Sequence, residues 1–305
     1  MPISPLFLPG WLEFNQRKWG LKAEHVRFVR NGPEPAIEAA WYHDARGRVC
    51  IPPLNPYLPL EFTPTPTPSP ARVERQWHEI GALYSDELLR RGLRHMLSLS
   101  PEVSDPRPWQ WLGLQVGVRY TFCVPLPYDQ ARMDKPMRGQ ISKAERNGFV
   151  AELSTDYEAA AFCLKGTESR KGFSHRVTAE DLALGHSLLG PEHFRVYLVR
   201  AKDHSPACVS IVLHNRGARA IGWIGGTAAG YLAEGTHSLV DKFTLADLHA
   251  AGATGYDFAG ANIPGVANCK SQWGGDLTPY YTLESPSLKG LLRQARGLAQ
   301  WRPRR

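Results

Sequence analysis

The sequence predicts an α+β fold made of two halves, each a mixed sheet flanked by helices, with a cleft between the halves or along them. One reason is the order of elements in the second half, where two helices precede three strands, a helix, two short strands and a last helix. This order matches neither the strict alternation of a doubly wound sheet nor a β-sandwich. The other reason is length, because 305 residues suit two domains of about 150 residues each. We place these domains at residues 1–150 and 151–305.

The first half is assigned from turn residues, proline and hydrophobic spacing. A hairpin is predicted at residues 37–43 and 48–52, because Asp44-Ala45-Arg46-Gly47 between them is a turn sequence. Alternating prolines at residues 63–70 predict an extended surface loop. The other predicted elements of this half are a helix over 72–97 with a break near Ser85, strands at 109–112 and 116–124, and a basic helix over 135–147 that ends at Gly148.

The second half is assigned mainly from helix-capping signals and from runs of β-branched residues. Thr155-x-x-Glu158 and Thr178-x-x-Asp181 are typical of capping boxes and predict helices near 156–165 and 179–189. Ser238-x-x-Asp241 predicts the start of another helix in the same way. The predicted strands lie at 194–200, 207–214, 218–226, 256–258 and 280–283, and a last amphipathic helix over 288–298 precedes a basic tail at 302–305.

Composition excludes several classes of protein. The five cysteines are scattered without a C-x-x-C pair, and the sequence has neither an H-E-x-x-H motif nor an EF-hand loop. We therefore predict no disulfide framework and no metal site. No run of about 18 apolar residues occurs, so no membrane span is expected. The N-terminal residues also lack the pattern of a signal peptide, and we expect a soluble, cytoplasmic protein.

The formal charge of +7 favours phosphate-rich partners, although a basic balance does not by itself identify one. Within the predicted basic helix, Lys135, Arg138, Lys143 and Arg146 place positive charge on neighbouring turns. Two interpretations of this cluster remain open. It is either a solvated helix face or a surface that binds phosphates.

Two motifs of the second half resemble those of the Fem-like branch of the GNAT acyltransferases. Gly255-Tyr256-Asp257-Phe258-Ala259-Gly260 is similar to the Y-D-F-G-G strand end of Fem-type proteins, with Ala259 in place of the first glycine of the pair. Asn268-Cys269-Lys270-Ser271-Gln272-Trp273-Gly274-Gly275 is similar to their F-K-x-x-F-G-G segment, with Cys269 in place of phenylalanine. Residues 140–148 resemble the basic helix between the two GNAT-like halves. The resemblance implies tandem GNAT-like domains, a degenerate one at 1–150 and one with the motifs at 151–305.

The resemblance also implies an activity. It predicts a transferase that moves an aminoacyl group from aminoacyl-tRNA, as co-substrate and without a cofactor, onto an amine of a small molecule, peptide or cell-wall precursor. Two alternatives remain open: an N-acyltransferase that uses acyl-CoA, and a non-catalytic RNA-binding module with the same fold. The segment Gly226–Gly235 favours tRNA, because it lacks the Arg or Gln of the usual pyrophosphate loop and its Glu234 would repel a pyrophosphate.

Two residues are assigned to the chemistry that the resemblance implies. Lys270 is placed near the developing oxyanion or the ribose-phosphate end of the donor, where positive charge lowers the barrier, and the alternative is a surface lysine. Asp257 is assigned to orienting the incoming amine or accepting its proton. The alternative for Asp257 is a carboxylate that binds backbone amides at the end of a strand.

Other residues are assigned to substrate binding. Arg170 and Lys171 suit a carboxylate or phosphate of the acceptor, although a solvated helix end gives the same pattern. Trp223 is expected in the cleft or in the core, and Tyr256 and Trp273 of the two motifs are expected to contact substrate. His237 and His249 lie in no motif, so both are expected to be structural.

Overall fold

The computed structural model describes residues 3–285 and has the predicted α+β fold. Its helices are α1 (Pro9–Trp19), α2 (Pro70–Arg91), α3 (Arg107–Trp111), α4 (Lys135–Arg146), α5 (Tyr157–Lys171), α6 (Ala179–Leu189), α7 (Thr236–Ala250) and α8 (Pro264–Ser271). Its strands are β1 (Lys22–Val29), β2 (Ala36–His43), β3 (Val49–Cys50), β4 (Leu60–Thr63), β5 (Leu97–Ser98), β6 (Gln115–Pro125), β7 (Val150–Leu153), β8 (Phe194–Arg200), β9 (Pro206–Leu213), β10 (Arg219–Thr227), β11 (Gly255–Asp257) and β12 (Asp276–Glu284).

The described residues form two compact units. Unit 1 comprises residues 3–18 and Tyr120–Thr278, and unit 2 comprises Trp19–Arg119 and residues 279–285. The limits of the two units are set by how the folded chain packs. The division at residue 150, predicted from the sequence, separates two related halves instead, and it stays a prediction.

Unit 1 is built on a mixed sheet with the strand order β6-β11-β10-β9-β8-β7. β10 and β11 are parallel, and the other neighbours are antiparallel. Helices cover both faces, since alternate residues of a strand point to opposite sides. Tyr197 and Val199 of β8 pack in a core with α4 and α7, whereas the Phe194 ring lies over Gly185 of α6.

Unit 2 has an antiparallel sheet in which β2 pairs with β1 on one side and with β3 and β4 on the other. β5 pairs antiparallel with the last part of β12, with Thr282 opposite Ser98 and Leu283 opposite Leu97. The core against α2 is aromatic: Trp41 packs edge-on against Tyr84, and the Trp41 indole donates a hydrogen bond to the Tyr84 hydroxyl at 3.0 Å. Trp109 packs against the same tyrosine and is fully buried.

Most predicted elements are confirmed within a residue or two, including the hairpin around Gly47, the basic helix α4, and strands β6, β8, β9, β10 and β11. The predicted strand at 109–112 is wrong, because these residues belong to α3, which begins with Arg107-Pro108. Proline in the first turn favours a helix and outweighs the β preference of the two tryptophans. The predicted break at Ser85 is also wrong, because its hydroxyl donates to the Gly81 carbonyl and α2 continues to Arg91.

Two helix starts differ from the prediction. The cap of α5 is Asp156, whose carboxylate accepts from the Ala159 amide, and Thr155 lies one residue before it. α7 begins at Thr236, and Ser238 within it donates to the Gln140 side chain. The capping box at Thr178 is confirmed. The elements that were not predicted are helices α1 and α8 and strands β1, β4, β5 and β7. The predicted helix over 288–298 and the basic tail lie outside the described residues.

Among the helices of residues 3–285, none combines the length and the apolar character needed to cross a membrane.

We expect two helical glycines to respond oppositely to alanine. A Cβ atom at Gly10 would collide with the Leu188 backbone carbonyl of α6, whereas one at Gly139 of α4 meets nothing within 4 Å. Gly10→Ala should lower the free energy of unfolding by about 1–3 kcal/mol through overpacking. Gly139→Ala should raise it by up to about 1 kcal/mol through helix propensity. Urea denaturation measures both, and equal effects of the two substitutions would contradict the close packing of α1 on α6.

Candidate active site

A cavity opens where strands β10 and β11 separate. The two strands are paired in parallel over only three positions, from Arg219 opposite Gly255 to Ile221 opposite Asp257. After this point the β11 chain stays with β6, where the Phe258 amide donates to the Phe122 carbonyl, and β10 continues against β9 alone. The resulting cavity of about 650 Å³ lies in unit 1, at the carboxyl ends of both strands. Such ends are common places for ligand sites in sheets with parallel strands.

The β10 wall is shaped by a bulge and by glycines. The register with β9 shifts between Gly222 and Ile224, so that Trp223 is the extra residue of the bulge. Gly222 leaves the space that the Tyr256 hydroxyl occupies, since a Cβ atom there would come within 2.5 Å of that oxygen. A Cβ atom at Gly226 would come as close as 2.6 Å to the backbone of α5. Glycine at both positions therefore lets the cavity wall pack closely on its neighbours.

His237 and Asp241 of α7 form an ion pair at the cavity. They are four residues apart and so share one face of the helix. The distance from His237 Nε2 to Asp241 Oδ2 is 3.6 Å, with 48% of the His237 side chain exposed and 6% of that of Asp241. Both residues line the cavity. His237 thus presents its imidazole to the cavity while its partner carboxylate is buried.

The charges of this pair follow from its surroundings. The Asp241 carboxylate raises the pKa of His237 to about 9, against the opposing effect of burial, so the imidazole is protonated at neutral pH. Burial raises the pKa of Asp241, while the neighbouring His237 and Lys270 charges oppose this rise. The Sγ atom of Cys208, which is fully buried, lies 4.0 Å from His237 Nδ1.

Lys270 at the end of α8 has its ammonium group enclosed by backbone carbonyls. Its Nζ donates to the carbonyls of Phe258 at 2.5 Å, Ala259 at 3.1 Å and Gly260 at 2.8 Å. Ala259 and Gly260 have positive φ angles of 52° and 88°. Burial lowers the pKa of Lys270, and the charges of Asp257 and Asp241 oppose this shift. Lys270 lines the cavity and gives it a positive charge, while its three N–H groups hold the loop after β11.

Asp257 lies beneath this loop and is not among the residues that line the cavity. It is 1% exposed. Its Oδ1 accepts hydrogen bonds from the Thr121 hydroxyl at 2.6 Å and from the Ala259 amide at 2.7 Å. This placement favours the alternative given for Asp257 above, a carboxylate that binds a backbone amide at a strand end. We assign it to positioning the loop that encloses the Lys270 ammonium.

The three predicted aromatic residues lie in different surroundings. Tyr256 lines the cavity, and burial raises the pKa of its hydroxyl. Trp223 also lines it, but its ring packs edge-on against Trp11 of α1 and is 7% exposed. Trp273 is 1% exposed, does not line the cavity, and opposes the rise that burial causes in the pKa of Asp241. Trp273 thus supports the His237–Asp241 pair from behind, and of the three residues only Tyr256 and Trp223 border the cavity.

The mouth of the cavity combines basic and apolar side chains. Arg170 and Lys171, at the end of α5, line it and are exposed. Their assignment to ligand binding stays a prediction. Leu232, Ile263 and Val266 also line it, with 45%, 66% and 37% of each residue exposed. Exposed apolar side chains around a concavity are typical of a binding site.

The predicted basic cluster lies on α4, away from the cavity lining. Lys135, Arg138 and Arg146 are exposed. Lys143 is engaged elsewhere: its Nζ donates to the Ala233 carbonyl at 2.7 Å and lies 3.2 Å from a Glu234 carboxylate oxygen. Its ammonium therefore holds the segment that precedes α7.

The sequence assignments did not include the His237–Asp241 pair. The spacing of a histidine and an aspartate by four residues on a predicted helix was the available signal, because it places the two side chains on one face. No signal in the sequence identified Cys208 as a neighbour of His237, since the contact joins β9 to α7. His249 of the same helix is exposed and is not part of the cavity lining.

No profile of a known protein family matches the sequence, and no curated protein matches it. Solved structures do match. FemX is 13% identical with a TM-score of 0.64, covering 96% of this chain and 94% of that chain. The C-terminal domain of a putative lysylphosphatidylglycerol synthetase from Agrobacterium fabrum is 10% identical with a TM-score of 0.60, covering 97% and 92%. L-PGS from Bacillus licheniformis is 10% identical with a TM-score of 0.57, covering 98% of both chains.

The chain shares the fold of FemX and of these two synthetase structures. The resemblance predicted from the motifs at residues 255–260 and 268–275 is thereby confirmed for the fold. At identities of 10% to 13%, the likeness concerns the fold alone.

We expect the titration of His237 to depend on Asp241. Because the carboxylate is the main cause of the raised pKa, Asp241→Asn should move the His237 pKa from about 9 toward or below its ordinary value of about 6.5. NMR of the imidazole protons between pH 5 and 10 measures this without any substrate. A His237 pKa that stays unchanged in Asp241→Asn would disprove the ion pair.

We expect Lys270 to be needed for stability as well as for charge. Lys270→Met leaves three buried carbonyls without their donor and should lower the free energy of unfolding by about 2 kcal/mol or more. The matched control is Lys171→Met, because Lys171 is exposed at the same cavity and no hydrogen bond of its side chain is seen among residues 3–285. Its stability should change little. If both variants unfold at the same urea concentration as the wild type, the hydrogen bonds from Lys270 to the three carbonyls contribute nothing to the stability of the fold.

Proposed function

We propose that the chain is an amide-bond-forming transferase that moves an aminoacyl group from aminoacyl-tRNA onto an amine acceptor by direct attack. The observation that carries this proposal is the position of His237, which is paired with buried Asp241 and faces the cavity formed by the separation of β10 and β11. The Asp241 carboxylate raises the pKa of His237 to about 9, which suits the imidazole to proton donation. The Lys270 charge lies in the same cavity. Together they give the cavity a proton donor and a fixed positive charge, both of which acyl transfer requires.

The reaction follows from these two groups. The acceptor nitrogen attacks the ester carbonyl of the donor, the new N–C bond forms, and negative charge develops on the carbonyl oxygen near Lys270 and His237. The ester C–O bond then breaks, and the ribose oxygen takes a proton from the His237 imidazolium. The attacking amine loses one proton, which restores the imidazolium. Atoms and charge therefore balance without a covalent intermediate on the protein.

A proton donor at this position favours an ester over a thioester. An alkoxide leaving group is far more basic than a thiolate, because thiols ionise near pH 8.5 and water, as a hydroxyl compound, near 15.7. Protonation by His237 therefore assists departure of a ribose oxygen much more than departure of a thiolate. This difference supports aminoacyl-tRNA as the donor and weighs against acyl-CoA.

The segment before α7 gives a second reason. Glu234 stands next to Gly235, the N-cap of α7, where a helix N-terminus would otherwise attract the pyrophosphate of CoA. Its carboxylate is fixed by Lys143 and by the Asn147 amide, which donates to it at 2.7 Å. A pyrophosphate would meet an oriented carboxylate at this point. We assign tRNA phosphates instead to the exposed Lys135, Arg138 and Arg146 of α4, with Lys143 in a supporting role.

The likeness to solved structures is in keeping with aminoacyl transfer. Two of the proteins that share the fold bear the name of lysylphosphatidylglycerol synthetase or its abbreviation L-PGS, and the full name describes attachment of a lysyl group to a lipid. For this chain, transfer of an aminoacyl group is our proposal. The proposed acceptor is a small-molecule or peptide amine, as in natural-product or cell-wall precursor synthesis.

We expect the purified protein to consume aminoacyl-tRNA when an amine is supplied. A pool of charged tRNAs, and separately acetyl-CoA and longer acyl-CoAs, would be incubated with simple amines, and loss of the ester or thioester would be measured. His237→Gln should slow ester consumption by roughly 100-fold, a typical loss for a general acid. His249→Gln on the same helix should leave the rate unchanged.

Two other outcomes would contradict the proposal. Consumption of acyl-CoA with no response to any charged tRNA would establish the acyl-CoA-dependent alternative. Binding of tRNA without loss of the ester, at any amine concentration and in the presence of intact His237, would establish the non-catalytic RNA-binding alternative.

A further inference from the structure

We infer that the acceptor held in this cavity is an apolar α-amino acid, bound by its carboxylate and by its side chain. The inference rests on the proposed function for the role of the amine, and on the charges and exposed surfaces of the cavity for the chemical class. Three features of unit 1 carry it: the charge of the lining, the side of the sheet from which each charge comes, and the apolar residues at the mouth.

The residues that line the cavity include four basic side chains and one carboxylate. Arg170, Lys171, His237 and Lys270 line the cavity, and within residues 3–285 Asp241 is the one carboxylate that does so. Asp241 is buried and held by His237. Neither Arg170 nor Lys171 has a hydrogen-bond or ion-pair partner among the described residues. The cavity therefore favours a ligand with an anionic group and an amine that enters in its neutral form.

The unpaired cations lie on the side of the sheet opposite to the proposed tRNA surface. α4 packs with α7 in the core on one face. α5, which carries Arg170 and Lys171, packs against the backbone of β10 at Gly226 and against α6, whose Gly185 lies beneath Phe194 on the other face. A donor bound through α4 thus approaches from one face, and the Arg170–Lys171 pair serves a second molecule from the other. Arg170 suits a carboxylate through two parallel hydrogen bonds.

The apolar residues at the mouth account for the side chain of the ligand. Ile263 and Val266 belong to the start of α8, and Leu232 faces the cavity from the segment between β10 and α7. Ile263 is 66% exposed, although an isoleucine in a folded chain is usually buried. An apolar side chain that covers these three residues removes their surface from water. The volume of about 650 Å³ suits a small molecule and not a folded partner.

The test is a binding measurement that needs no donor. Isothermal titration calorimetry of the full chain would compare leucine, leucinamide, alanine and phosphoethanolamine. Leucinamide has lost the carboxylate, alanine has lost most of the apolar surface, and phosphoethanolamine offers a phosphate instead. We expect leucine to bind about 10-fold more tightly than leucinamide, as for a hydrogen-bonded charge. We expect it to bind at least several-fold more tightly than alanine, since about 0.8 kcal/mol accompanies each buried methylene.

Variants locate the two determinants. Arg170→Glu with Lys171→Glu should abolish the preference for leucine over leucinamide, and Ile263→Ser should reduce the preference for leucine over alanine. All three residues are exposed, so the variants should fold, which circular dichroism would verify. Lys165→Glu on the same helix α5 and Val150→Ser on β7 are matched controls, because both residues are exposed and neither lines the cavity. Both controls should bind leucine as the wild type does.

Each contrary outcome has a definite meaning. Equal affinity for leucine and leucinamide, or tighter binding of phosphoethanolamine, would overturn the carboxylate assignment. An absence of leucine binding would overturn the inference as a whole. If leucine binds as expected but no aminoacyl-tRNA is consumed, the ligand class is retained and the proposed function is rejected. Faster transfer onto an amine that lacks a carboxylate than onto leucine would do the reverse.

Discussion

The separation of β10 and β11 after three paired residues is the constraint on which the rest of the site depends. A parallel pair that ends early leaves backbone groups of both chains without a strand neighbour, and buried backbone groups must find other partners. On the β11 side, the carbonyls of Phe258, Ala259 and Gly260 receive the Lys270 ammonium. The amides of the same loop are bound by Phe122, Asp257 and the Thr121 hydroxyl. Lys270 and Asp257 thus supply hydrogen-bond partners to backbone groups that have no neighbouring strand beside the cavity.

The electrostatics of the cavity follow from which charges are buried. Asp241 and Lys270 are both removed from water, and each lies near an opposite or polar group that offsets the cost. Within the ion pair His237 is the exposed member, with 48% of its side chain accessible against 6% of that of Asp241, so its proton is available to a ligand. Trp273 in the core opposes the rise that burial causes in the pKa of Asp241. The carboxylate is therefore better able to hold the charge on the imidazole.

Much of the fold was predictable because local signals and burial agree there. The strands of unit 1 are β-branched runs bounded by turn residues, and α4 begins and ends at residues with clear signals. The prediction failed at residues 109–112, where aromatic residues suggested a strand and a proline in the first turn decided for a helix. It also missed α8, whose apolar residues are exposed and give no amphipathic pattern toward a core. Local sequence does not reveal a helix that borders a cavity.

The site was predicted in part for a similar reason. The motifs brought Lys270, Tyr256 and Asp257 into one region, but the sequence could not distinguish a side chain that faces the cavity from one that lies under it. Asp257 and Trp273 belong to the second kind, and their partners are distant in sequence. His237 was expected to be structural because it lies in no motif, and its significance comes from Asp241 and from the open end of β10. Such a relation depends on the tertiary arrangement of α7 against the sheet.

The two ends of helix α8 have different roles. Its last turn is anchored through Lys270 to the carbonyls that follow β11, while Ile263 and Val266 at its start contribute side chains to the cavity mouth without being buried. Exchange of these two residues alters what the mouth accepts and leaves the anchor intact. The short helix therefore joins exposed, exchangeable side chains to a firmly anchored end, so that substitution at a few surface positions can reshape the mouth while the loop after β11 keeps its place.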